Sequence, residues 1–163
     1  MAEIEMIKSI SFGYSGVFSL KDVYNLVHKW SKLHRIPVYE KEQIEKETQD
    51  SQDTLINFEG KREEDDYFAT KFKVKVICKD LKTTKRKNEL VYKGNVTINI
   101  KAVLIKDYDE VWSSNFFSNF IRSIWDKYIQ DNKINLYHIQ GTDEIYELKD
   151  DLTTLFNIQH YKK

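Results

Sequence analysis

Large apolar side chains alternate with polar ones along four stretches of this chain. The alternation begins at residues 4–14 and returns at residues 56–59, 68–78 and 90–104. Because successive side chains of a strand point to opposite faces, a period of two is typical of a strand with one buried face. We therefore predict an antiparallel sheet with one buried and one solvated face. The apolar positions after the first stretch are all even-numbered: Ile56, Phe58, Phe68, Phe72, Val74, Val76, Cys78, Leu90, Val96, Ile98, Ile100, Ala102 and Leu104.

The connections between these strands are polar. Residues 60–66 and 80–88 are short enough to be hairpin loops, which predicts a meander of long strands. Residues 38–49 are too polar for the centre of a sheet. We expect an edge strand there, with a charged surface helix as the alternative.

Two helices follow from a change of period. Ser19 and Asp22 form a capping pattern ahead of apolar residues at helical spacing, and Pro37 ends that run. Near the C-terminus, Thr142 is the expected cap of a helix with one apolar face, formed by Ile145, Leu148, Leu152, Leu155 and Phe156. A third helical stretch covers residues 111–129.

The predicted fold class is α+β. We expect a mainly antiparallel sheet of about five long strands, with one helix after the first strand and two C-terminal helices packed on one face. No repeat and no glycine- or proline-rich linker interrupts the chain, so residues 1–163 are expected to form a single domain.

The stretch 111–129 carries more rings than one surface can use. Its large apolar side chains span an arc of roughly 220°, whereas a helix that covers a sheet needs about 100°. A second helix or another molecule must therefore cover part of these apolar side chains. Four residues are the candidate interface of a homo-oligomer: Trp125, Ile129, Tyr128 and Ile121.

A cavity is the alternative use of the same helix. A curved sheet with a long helix across it can enclose an apolar space, as in helix-grip folds, and this analogy predicts a binding module for an apolar small molecule or lipid. The candidate lining residues are Phe72, Ile98, Phe116 and Phe120.

Charge is balanced overall but unevenly distributed. The chain has 26 basic and 26 acidic residues; residues 40–66 hold eleven acids and four bases, and residues 71–101 hold ten bases and two acids. Neighbouring strands can neutralise each other, with Glu59 across from the lysine row. The alternative is head-to-tail contact between copies through opposite patches.

The sequence has no residue spacing typical of a catalytic or cofactor-binding motif. The histidines lack metal-site spacing, the glycines form no phosphate-binding loop, and Cys78 shares the parity of the buried positions. The acids of residues 107–110 are better explained as helix-terminal residues than as catalytic groups. We expect no cofactor, no metal and no enzymatic activity.

The predicted hairpin tip at residues 80–88 is a candidate anion contact, formed by Lys82, Lys85, Arg86 and Lys87. It has no aromatic side chains beside the basic ones, so nucleic acid is not an expected partner. With one cysteine, no leader-like start and no long apolar run, we expect a cytoplasmic protein that is not integral to a membrane.

Several short stretches resemble a group of small archaeal proteins without an assigned activity. They are Gly16-Val17-Phe18 before the first helix, Asp66-Tyr67 before a strand, Asp107-Tyr108 with Trp112, and Asp126-Lys127-Tyr128-Ile129. The resemblance implies a folded single domain and no particular function. The leading hypothesis is a non-enzymatic, self-associating structural or interaction protein.

Overall fold

A computed structural model describes residues 3–86, 89–106, 120, 124 and 131–161. Within the continuous described ranges, the elements are β1 (Glu3–Phe18), α1 (Leu20–Leu33), β2 (Val38–Glu47), β3 (Gln52–Glu63), β4 (Phe68–Arg86), β5 (Glu89–Lys106) and α2 (Asp131–Tyr161). The α+β class and the helix after the first strand are confirmed. Of the predicted helix at 111–129, only Phe120 and Ile124 lie within the described residues, and both are helical.

The five strands form one antiparallel sheet in the order β1-β5-β4-β3-β2. Strands β2 to β5 are a meander, as predicted, and β1 pairs with the last strand. Residues 38–47 form an edge strand rather than a helix, and every residue of β2 except Val38 is exposed. Charged side chains along an edge discourage pairing with other chains.

The hydrophobic core lies between the helices and one side of the sheet, which we call the inner side. Even-numbered residues of the central strands face it, and Phe72, Val76 and Ile98 are at most 1% exposed. Helix α1 buries Val23, Val27 and Trp30 against this side. Helix α2 buries its predicted apolar face there, through Ile145, Leu148, Leu152 and Phe156.

The predicted helix start at Thr142 is wrong. Helix α2 is continuous from Asp131 to Tyr161, and the Thr142 hydroxyl donates to the carbonyl oxygen of His138 at 2.7 Å, one turn earlier. Gly141 is inside the helix, where an added Cβ would lie 3.1 Å from Cδ1 of Ile7 in β1. The glycine allows close approach of helix and strand instead of ending the helix.

The predicted loop at residues 80–88 is also wrong. Strand β4 continues to Arg86 and β5 begins at Glu89, so the two strands extend as a ribbon beyond the sheet. A bulge between Lys79 and Lys82 contains Asp80 with a φ of 56°. The bulge passes close to Gly94 of β5. A Cβ added to Gly94 would lie 2.9 Å from the carbonyl oxygens of Lys79 and Asp80.

Candidate functional site

A groove lies beside the start of α1. It has a volume of about 740 Å³ and is bounded by α1, by the edge strand β2 and by the first residues of β5. Ile56 is at its floor and is 4% exposed. The other lining residues include Leu20, Tyr24, Leu90 and Tyr92, together with the polar Asp22, Asn25, Glu40 and Gln43. This mixture of apolar walls and a few polar groups is typical of small-molecule sites.

The wall of this groove formed by α1 is held in place at its first turn. The Ser19 hydroxyl accepts from the backbone N–H of Asp22 at 3.3 Å, which confirms the predicted cap. Gln159 of α2 accepts from the Ser19 backbone N–H at 3.2 Å and donates to the Asp22 carboxylate at 3.0 Å. The far end of α2 thus fixes the position at which α1 begins.

A buried cluster of charges joins α1, α2 and the turn between β3 and β4. The Arg62 guanidinium donates to Glu144 at 3.0 and 3.1 Å, to Glu64 at 3.0 Å and to the carbonyl oxygen of His34 at 2.8 Å. Side-chain exposure is 12% for Arg62, 9% for Glu64 and 6% for Glu144. Burial opposes the charged guanidinium, but the bonds to Glu144 and Glu64 outweigh it and raise the pKa of Arg62.

His34 extends this cluster towards α2. Its Nδ1 atom lies 3.6 Å from Oε1 of Glu144, and its Nε2 atom lies 2.9 Å from Oε2 of Glu147. The indole N–H of Trp30 donates to the backbone carbonyl of Glu144 at 3.0 Å. The cluster therefore positions the C-terminal end of α1 against the middle of α2.

Asp65 organises the turn that follows β3. One carboxylate oxygen accepts from the backbone N–H groups of Tyr67 and Phe68 at 2.8 Å, and the other contacts Lys133 and Tyr137 of α2. Burial alone would raise the pKa of Asp65. These hydrogen bonds have the larger effect, so the pKa of Asp65 is lower than that of an ordinary aspartate. Burial and the nearby carboxylate raise the pKa of Tyr137 to about 12.

The opposite side of the sheet, which we call the outer side, carries the lysine row. Glu59 is 5% exposed although it lies on this side, because lysine side chains surround it. Its carboxylate lies within 3.3 to 3.7 Å of the ammonium groups of Lys41, Lys71 and Lys73. Burial alone would raise the pKa of Glu59. The three lysines have the larger effect, so the pKa of Glu59 is lower than that of an ordinary glutamate. The predicted neutralisation between strands is confirmed at this position.

Exposed apolar side chains are found on the helical segments. Phe120 and Ile124 are 58% and 44% exposed, and Leu136 and Ile139 of α2 are 58% and 61% exposed. The predicted interface residues Trp125, Ile129, Tyr128 and Ile121 lie outside the described residues.

The predicted cavity residues are separated. Phe72 and Ile98 lie in the core, where Phe72 meets the edge of the Trp30 ring at 5.5 Å between centroids, whereas Phe120 is exposed. Phe116 lies outside the described residues, so a cavity formed by all four stays a prediction.

Three of the four candidate anion contacts belong to β4. Lys82 is exposed on β4, opposite Lys93. Lys85 and Arg86 belong to the same strand, and Lys87 is outside the described residues.

The described residues offer few reactive groups. Among them, no group of three or more His, Cys, Asp or Glu side chains is arranged to hold a metal ion. Burial raises the pKa of the Cys78 thiol to about 12, so the thiolate is scarce at neutral pH. Within the same part of the chain, no helix is long and apolar enough to cross a membrane.

Comparison of the sequence with protein-family models and with curated proteins finds no match. The resemblance to small archaeal proteins therefore stays a prediction. Sequence reasoning missed the groove and the Arg62 cluster, because both combine residues that are far apart in the chain.

Proposed function

We propose that this chain is a non-enzymatic interaction protein that associates with itself through its helical segments. The observation that carries the proposal is the exposure of large apolar side chains there. Leu136 and Ile139 are three residues apart on α2, so they share one face of that helix, and each is more than half exposed. Phe120 and Ile124 are a second such pair at a spacing of four residues.

Burial of these side chains supplies the driving force. Removing a Leu, Ile or Phe side chain from water is worth roughly 1.5–3 kcal/mol, and grouped exposed apolar residues mark interaction surfaces. In the sequence, the predicted interface residues Ile121, Trp125, Tyr128 and Ile129 follow Phe120 at helical spacing. They belong to the same proposed surface.

The test is the oligomeric state measured by sedimentation velocity. The wild type should form a discrete oligomer as its concentration rises, and the L136S/I139S variant should remain monomeric. Ile158→Ser is the matched control, because Ile158 is on the same helix and is 59% exposed. A wild type that stays monomeric at the highest concentration reached would overturn the proposal. The proposal would also be overturned if Ile158→Ser dissociated the oligomer as much as L136S/I139S does.

A second candidate function is a binding module for a small molecule with an apolar body. The groove beside α1 favours it, since about 740 Å³ is within the range of roughly 300–1,000 Å³ that ligand sites occupy. Tyr24 and Tyr92 supply ring surfaces in its walls. This groove differs from the space between the sheet and the C-terminal helix that the sequence suggests.

Native mass spectrometry of the purified protein tests this candidate, because a retained molecule adds mass to the chain. Leu90→Glu, at the groove, should abolish the added mass, whereas Leu33→Glu should leave it, since Leu33 is 68% exposed and lies outside the groove. Loss of the added mass in both variants would count against the groove as its site.

A further inference from the structure

Between β1 and β4, the outer side of the sheet carries charge of one sign, on strands β4 and β5. Along β4 its residues are Lys71, Lys73, Lys75, Ile77 and Lys79, and along β5 they are Lys93, Asn95, Thr97, Asn99, Lys101 and Val103. The facing positions of β1 are Ser9, Ser11, Gly13 and Ser15. Over these paired positions, all of them described, every charged side chain is a lysine.

The register places like charges directly opposite each other. Lys73 faces Lys101, and at the start of the ribbon Lys82 faces Lys93. Directly opposed like charges destabilise a sheet, so this arrangement has a cost to folding. A bound polyanion would remove that cost.

The sheet neutralises only part of this charge. Glu59 pairs with Lys71 and Lys73, and Asp53 lies 3.6 Å from Lys79. For Lys75, Lys93 and Lys101, the described residues provide no carboxylate within 4.0 Å of the ammonium group.

Three of the β4 lysines, Lys71, Lys73 and Lys75, occupy successive outward-facing positions. Alternate residues of a strand are about 7 Å apart, a spacing of the same order as that between successive phosphates of an extended nucleic-acid strand. The ammonium groups are accessible, since the Lys73 and Lys79 side chains are 50% and 63% exposed. One strand of the protein thus presents a line of cations suited to one strand of phosphates.

The residues between the lysines favour nucleic acid over an acidic protein. A protein interface needs apolar or aromatic anchors at its centre, and on this side Ile77 and Val103 are half-buried. The neighbouring side chains are Asn, Thr and Ser, which, like lysine, are common donors to phosphate and sugar oxygens.

We infer that the outer side of the sheet, between β1 and β4, binds the phosphate backbone of single-stranded nucleic acid without sequence preference. Lys73, Lys75 and Lys101 make the central contacts. This inference differs from the expectation for the hairpin tip, where nucleic acid is not expected because no aromatic side chains flank the basic ones. The paired positions of the outer side also lack aromatics, so the contacts are to phosphates and sugars and not by base stacking. The folded sheet assembles a longer line of cations from two strands.

Fluorescence anisotropy with a labelled oligothymidylate tests this inference. Because each phosphate contact to a single strand contributes about 0.7 to the slope of log affinity against log salt concentration, K75Q/K101Q should reduce that slope by about 1.4. The matched control is K29Q/K32Q, which removes the same charge from exposed positions on α1. It should leave the slope unchanged.

Glu59→Gln provides a test in the opposite direction. It removes the acid that neutralises Lys71 and Lys73, so we expect tighter binding of the oligonucleotide and a steeper slope. An equal fall in the salt-dependence slope for K75Q/K101Q and for K29Q/K32Q would overturn the inference. Undetectable binding of the oligonucleotide at low salt would also overturn it. Loss of self-association in K75Q/K101Q, with no change in oligonucleotide binding, would also overturn it and would assign this side of the sheet to a second copy of the chain.

Discussion

Arg62→Met is the most demanding test of how the helices are joined to the sheet. The Arg62 guanidinium donates to both Glu64 and Glu144, and both carboxylates are at least nine-tenths buried. Methionine keeps an unbranched side chain but donates no hydrogen bond. The substitution therefore removes the charged donor from two buried carboxylates and from the His34 carbonyl oxygen. Glu64 then keeps the Thr70 hydroxyl, and Glu144 the Gln140 amide, as uncharged side-chain donors.

The expected size of the effect is large. Removing one partner from a buried ion pair costs about 3–5 kcal/mol, because the remaining charge stays desolvated. In a chain of 163 residues this lowers Tm by roughly 6–20 °C. Urea unfolding followed by tryptophan fluorescence measures the change in free energy, and Trp30, which is 2% exposed, reports on the α1–α2 contact.

Two further variants make this result interpretable. Arg35→Met removes the same charge from an exposed position nearby and should change stability by less than about 1 kcal/mol. R62M/E64Q/E144Q removes the stranded carboxylates and should recover part of the loss, since neutral amides cost less to bury. A loss below about 1 kcal/mol for Arg62→Met, or no recovery in the triple variant, would refute the electrostatic argument.

Three other predictions follow from individual residues. Because the pKa of Cys78 is raised to about 12, a thiol reagent at pH 8 should label the chain only after unfolding, and stoichiometric labelling of the native protein would contradict the buried placement. Gly94→Ala should cost about 1–3 kcal/mol by denaturant unfolding because its Cβ meets the bulge at 2.9 Å, whereas the same change at Gly13, whose nearest atom is 3.4 Å away, should cost clearly less; equal losses would show that close approach is not the cause. The pKa of Asp65 is lower in the folded chain than in the unfolded chain. The Asp65 carboxylate therefore stabilises the fold fully above the unfolded pKa of about 3.9, and this stabilisation is lost as pH falls through the folded pKa. Asp65→Asn should therefore lower stability at pH 7 and weaken its fall below pH 4, and parallel pH profiles of the two proteins would contradict this.

The alternation of apolar residues predicted the sheet because that signal is local. A period of two identified the inner side of β3, β4 and β5, and the opposite parity predicted Glu59 across from the lysine row, where the structure pairs it with Lys73. The role of Gly141 was not predictable in the same way, because Ile7 approaches it from the far end of the chain. The extension of β4 and β5 through residues 82–86 and 89–91 was missed because its β4 part, from Lys82 to Arg86, is polar throughout and has no apolar alternation.

The Arg62 cluster illustrates a second limit of sequence reasoning. Arg62 and Glu64 are close in the chain within a run of charges, which suggests a solvated turn. Glu144 lies far along the chain on a helix, and only the packing of α2 against the sheet brings it to the guanidinium. Burial of a charge therefore depends on an element that the local sequence does not specify.

The two proposed surfaces can be separated because they respond oppositely to salt. Leu136 and Ile139 belong to α2, which packs on the inner side of the sheet, whereas the lysines lie on the outer side. Added salt screens the contact between lysines and phosphates, and an excluded salt such as sulfate strengthens apolar burial. Raising sodium sulfate should therefore release the oligonucleotide while it preserves the oligomer. If both complexes dissociated together, association of the chain would depend on the lysine side of the sheet, and Leu136 and Ile139 could not be its main contacts.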